Sequence, residues 1–99
     1  MARDVTLAES GLISSDTTVK SASGVVYSIT IAYKGVTAGE FCTLVDATSG
    51  TSPDVVLFVF PAANGTITKE WPKGKKFDTG IIFNKGATAG SVWAELTFK

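Results

Sequence analysis

The sequence predicts an all-β domain, a two-sheet antiparallel sandwich with jelly-roll-like connections and about eight short strands. Three observations carry that expectation. Residues 25–33 alternate cleanly between Val25, Tyr27, Ile29, Ile31 and Tyr33 on one face and Val26, Ser28, Thr30 and Ala32 on the other. Residues 55–60, Val-Val-Leu-Phe-Val-Phe, form a short apolar run between Pro53-Asp54 and Pro61. No segment keeps an apolar i, i+3, i+4, i+7 spacing for three turns, so no amphipathic helix is expected.

In chain order, residues 1–20 read as an N-terminal arm and residues 21–99 as the sandwich domain. Within the arm, residues 4–9 alternate weakly, as a strand added to a sheet edge would, and a free arm is the competing reading. Thr17 to Lys20 are extended, and Ser21-Ala22-Ser23-Gly24 turns the chain into the strand at 25–33. After a loop at 34–39, residues 40–46 form a strand whose facing is open by one residue, Phe41, Thr43 and Val45 against Cys42 and Leu44.

Asn64-Gly65, a pair that accepts positive φ, predicts a hairpin between 55–60 and a strand at 66–71. Trp71-Pro72-Lys73-Gly74 fits a type I turn with Pro second and Gly fourth. Residues 81–83 are a short buried strand. Residues 92–98 close the domain with Val92, Ala94, Leu96 and Phe98 inward and Trp93, Glu95 and Thr97 outward.

The run at 55–60 is apolar on both faces, Val55, Leu57 and Val59 against Val56, Phe58 and Phe60. One set fills the domain's own core; the other needs cover from the arm, another subunit or a partner. Val56, Phe58 and Phe60 are the expected association residues, with Trp93 as a companion because tryptophan is favoured at interfaces.

Composition narrows the chemistry. Lys plus Arg and Asp plus Glu number nine each, so no whole-protein field draws nucleic acid or an anionic membrane. Histidine is absent, which removes the usual general base near neutral pH. Asp46 and Asp54 flank a loop with nothing to fix their separation, and Asp46-Ala47-Thr48-Ser49-Gly50 lacks the acidic density of a calcium loop. Neither a zinc ligand set nor a phosphate-cradling glycine motif occurs, so no enzyme, metal or cofactor is expected. Cys42, the single cysteine, reads as a small buried hydrophobe in a soluble protein made in the cytoplasm. Lys69, Trp71, Lys73, Lys75 and Lys76 form a local basic segment with an aromatic residue, as a single-strand nucleic-acid platform can begin; a solvated hairpin end facing an acidic partner is the better reading.

Three short motifs go further: Val26-Tyr27-Ser28-Ile29, then Leu44-Val45-Asp46-Ala47-Thr48-Ser49-Gly50-Thr51, then Phe77-Asp78-Thr79-Gly80-Ile81. Together they resemble a family of roughly 100-residue β-sandwich virion proteins of tailed bacteriophages, of the capsid cement or decoration type, over residues 20–98. The resemblance implies a homo-oligomer, trimer favoured, that sits on the capsid surface where capsomers meet and contacts the major capsid protein. It places Tyr27, Leu44, Phe77 and Ile81 in the core and Gly50 and Gly80 in turns, and gives Asp46 the task of bonding backbone N–H groups. The aromatic C-terminal strand and the lysine-rich segment at 69–76 depart from the family pattern. The alternative role is a carbohydrate-binding or adhesin module using Trp93 or Tyr33.

Overall fold

The computed structural model describes residues 7–50, 52–86 and 88–99, and these form eight strands in two antiparallel four-stranded sheets. The strands are β1 (Ala8–Glu9), β2 (Thr17–Lys20), β3 (Gly24–Lys34), β4 (Phe41–Val45), β5 (Asp54–Val59), β6 (Asn64–Phe77), β7 (Ile81–Asn84) and β8 (Ser91–Phe98). Sheet A has the order β1-β8-β3-β6 and sheet B the order β2-β7-β4-β5. Strands 1 and 8, 2 and 7, 3 and 6, and 4 and 5 are thus neighbours, which is a long antiparallel ribbon rolled over on itself, the jelly roll. The expected sandwich is therefore the fold.

The core lies between the sheets. Val26, Ile29, Ile31 and Tyr33 of β3, Val92, Ala94 and Leu96 of β8, Cys42 and Leu44 of β4, Phe58 of β5, Phe60, Phe77, and Ile81 and Phe83 of β7 close it from both sides. This settles the facing of β4: Cys42 and Leu44 point inward, and Phe41, Thr43 and Val45 outward. β8 faces as its alternation predicts.

Three local expectations are overturned. The alternation of β3 slips at Tyr27: Val26 pairs with Phe98 and Ser28 with the adjacent Thr97, so Tyr27 is a bulge residue. The slip turns Val26 into the core and leaves Val25 and Tyr27 half-buried, so Tyr27 is not the core residue that the resemblance implies. The second concerns residues 71–74, which do not end their strand. On the β6 side Val26 pairs with Lys75 and Ser28 with Glu70, so Trp71-Pro72-Lys73-Gly74 loops out opposite Tyr27 and the ladder resumes beyond it. Gly74 is at φ +86, and a Cβ there would meet the Val25 side chain.

The third is the hairpin across Asn64-Gly65. β5 belongs to sheet B and β6 to sheet A, so the chain crosses between sheets after Phe60, and β6 pairs with β3 instead. Gly65 is an ordinary strand residue opposite Tyr33. Its missing side chain makes room for the Tyr33 ring, whose hydroxyl would lie 2.6 Å from an added Cβ. Asn64 caps the neighbouring turn by accepting the Gly35 N–H at 3.0 Å.

The N-terminal segment is tied to sheet A. Ala8 pairs with Phe98 and Glu9 with Thr97, and Ile13 exchanges two 2.8 Å backbone bonds with Ala94. β2 lines the edge of sheet B beside β7, so the sheets recruit residues ahead of position 21. Of the expected strand at 4–9, residues 4–6 lie outside the described residues.

Candidate functional site

β5 is an edge strand, bonded to β4 on one side only. Its alternation sends Val56, Phe58 and Phe60 toward sheet A and Leu57 and Val59 outward. Phe58 is 5% exposed and Phe60 fully buried, with the Tyr33 ring 4.5 Å from that of Phe60. Val56 packs against the same cluster, half-buried. The set expected to associate is thus the one turned inward, and Val55, at the register shift between Val56 and Asp54, packs against the core as well. Phe58 and Phe60 are core because their large rings fill the space between the sheets, and the smaller Leu57 and Val59 are left outside.

The outward face carries the largest uncovered apolar group in the described residues. Leu57 is 57% exposed, Phe41 52% and Val59 49%. Phe41 stands directly opposite Val59 and Leu57 opposite Thr43, so the three side chains share one face of two paired strands. Further in, the same face is closed: Thr43, Val45 and Ile82 are buried. Exposure is therefore confined to the β5 side, next to the free edge. Scattered exposed apolar residues need no explanation, whereas two on an edge strand and a third beside them on β4 make this face the candidate site. Leu7 and Leu12 are also exposed, on the N-terminal segment rather than on this face.

Two carboxylates brace the loops around it. Glu40, one residue before Phe41, accepts the Thr37 N–H at 2.7 Å and the Ala89 N–H at 3.1 Å, fastening the β3–β4 and β7–β8 loops together. Asp46, just past β4, accepts the Asp78 N–H at 2.9 Å, the Thr79 N–H at 2.7 Å and the Gly80 N–H at 3.2 Å. These bonds, the Asp78 one foremost, hold the Asp46 carboxyl below its ordinary value against an opposing effect of burial. Gly80 fits beneath because a Cβ there would strike the Ala47 carbonyl and come within 2.9 Å of that of Lys20. The role implied for Asp46 is thus realised, although the turn it holds is that of residues 78–80.

The remaining candidates are dispersed. Trp93 lies half-buried on the outer face of sheet A opposite Ala32, away from β5, so it does not join the Leu57 group. Tyr33 is buried and offers no ring to a sugar. The clefts near Ile82 and near Phe41 are lined by neither aromatic. Lys69 caps the Trp71 ring at 5.9 Å from its centroid, and Trp71 itself leans on the core. Burial pushes the Cys42 thiol up to about 12, far from a reactive thiolate. Among the described residues no group of three or more His, Cys, Asp or Glu is gathered to hold a metal.

Sequence reasoning found the strand but missed Phe41, because the facing of β4 depends on which set of β5 is inward. The relevant signal was ring size: of the two β5 sets, the one with two phenylalanines is the one that fills a core. No protein-family model, no curated protein and no solved structure matches this chain.

Proposed function

We propose that this chain is a non-enzymatic structural protein that works by docking, and that its assembly is a phage particle, where it serves as a capsid cement or decoration protein touching its own copies and the major capsid protein. The observation that carries the docking reading is the uncovered face of Phe41, Leu57 and Val59 beside the free edge of β5. The virion reading is supported by the motif resemblance at 26–29, 44–51 and 77–81, and by the jelly roll, an architecture that recurs in viral capsid domains as well as in lectins and cupins.

Magnitudes favour a repeated contact. Covering three half-exposed apolar side chains contributes about 1 kcal/mol each. That is less than the roughly 4 kcal/mol or more that association costs in lost freedom, so one such patch binds weakly alone. On a particle with many copies, weak contacts add through effective concentration.

The test compares particles made with and without the chain. Particles that carry it should release their genome at a higher temperature, and a Leu57→Asp/Val59→Asp variant that stays folded should fail to bind. Unchanged heat resistance with the wild-type chain bound would sink the virion reading.

A further inference from the structure

The exposed face of β4 and β5 ends at a small cleft of about 230 Å³, and Phe41 belongs to both. Phe41 stands opposite Val59 on the ladder, and the cleft beside it is lined by Glu40, Phe41, Gly86 and Thr88. This volume is below the roughly 300–1,000 Å³ of ordinary small-molecule pockets, so the cleft fits one side chain rather than a free metabolite. Its walls come from β4 and from the loop between β7 and β8, which Glu40 fastens through the Thr37 and Ala89 N–H groups, so the cleft is built before anything enters it.

The chemistry of the lining is one-sided. Glu40 is its only charged residue. Among the described residues the hydrogen bonds to the Glu40 carboxylate all come from backbone N–H groups, which are neutral, so they leave its negative charge unbalanced. Its Oε2 accepts only the Ala89 N–H and keeps a free acceptor site. Thr88 adds a hydroxyl whose Oγ1 is buried with no partner among the described residues, a group that gains from any donor brought to it. Lys34 and Lys85, the nearest cations along the chain, do not line the cleft. Residues 35–68 include Glu40, Asp46 and Asp54 and no Lys or Arg, so the field over β4 and β5 is negative.

We infer that the cleft takes a lysine or arginine side chain of a partner protein, its methylene stem along Phe41 and its cationic head against Glu40. The inference rests on the docking reading above and adds the chemistry of the partner: a cation bordered by apolar residues that cover Leu57 and Val59. Lysine and arginine are the side chains that join an apolar stem to a charged head. The head brings donors for Glu40 and Thr88, and charge-assisted bonds to a carboxylate are stronger than neutral ones. An apolar or anionic occupant would instead leave the Glu40 charge without compensation once water is excluded from the face. The apolar contacts bind weakly by themselves, so the cation decides which surface is accepted.

Short blocked peptides test the cleft on the full chain. Acetyl-Leu-Arg-Leu-amide, followed through the backbone amide NMR signals, should shift Phe41, Thr88 and Ala89 and bind about fivefold or more tighter than the same peptide with neutral citrulline in place of arginine. Glu40→Gln keeps an oxygen for the Thr37 and Ala89 N–H groups and should lose that preference. Asp54→Asn removes a charge from the same region but not from the cleft, and should retain it. If Glu40→Gln loosens the loops, Phe41→Ser, at an exposed position, should weaken the arginine peptide instead. Equal binding of the two peptides, a preference lost as fully in Asp54→Asn as in Glu40→Gln, or cleft amides that do not move, overturns the assignment. Particles separate this failure from that of the readings beneath it. A Leu57→Asp/Val59→Asp chain that fails to bind particles while Glu40→Gln binds as wild type defeats only the cationic cleft; a chain that selects arginine at the cleft but leaves particles unbound defeats only the virion reading.

Discussion

Phe41 and Val59 stand opposite each other across the β4–β5 ladder, both about half exposed, while their chain neighbours Cys42 and Phe58 form the next pair and are buried. One step along the ladder therefore passes from surface to core. The two faces of β5 should respond to mutation in opposite ways.

Truncating the buried face costs stability. Phe60→Ala, which removes a fully buried ring packed on Tyr33, should destabilise by about 3–5 kcal/mol, and Phe58→Ala by a similar amount. Val59→Ser, on the exposed face, should change stability by less than about 1 kcal/mol. Urea unfolding of the three variants measures both; a Val59 cost equal to that of Phe60 would mean that the outward face is covered within the monomer.

Much of this arrangement was legible in the sequence. The all-β class, the eight strands and the double-sided character of 55–60 follow from period-2 patterning, which is local. What was not legible depends on partners distant in the chain. The bulge at Tyr27 lies opposite residues 71–74, which loop out of β6, and alternation within 25–33 holds no trace of that. Asn64-Gly65 looks like a turn, and Gly65 is instead the space for the ring of Tyr33, far away in sequence. Which side of β5 turns inward is not legible either, because pattern alone treats both sides as equal. Only the volume to be filled between the sheets distinguishes Phe58 and Phe60 from Leu57 and Val59.

Asp46 links pH to the turn at 78–80. Its carboxyl is held below its ordinary value in the folded protein by the Asp78, Thr79 and Gly80 N–H groups. A depressed folded value means stabilisation that is present above the unfolded value, near 3.9, and lost as pH falls through the lower folded value. Asp46→Ala should therefore be less stable than wild type at neutral pH, and the gap should close as the pH falls below about 4. Thermal unfolding of both proteins across that range checks it; a gap independent of pH would mean that the bonds to the carboxylate do not carry the effect.

Cys42 should be inert while the chain is folded. Burial pushes its thiol up to about 12, and the side chain has no exposed surface. Thiol reagents at neutral pH should label it only as fast as the protein opens, and promptly in denaturant. Stoichiometric labelling of the native chain within the dead time would place Cys42 outside the core.

The claim that the open edge of β5 is the covered surface in the assembled state is tested most directly by amide hydrogen exchange at Leu57 and Val59, measured on the chain in dilute solution and on the particle. In dilute solution these two amides should exchange much faster than those of Phe58 and Phe60, whose neighbours in β4 protect them. On the particle they should slow to match. Fast exchange at Leu57 and Val59 in both states would contradict the account.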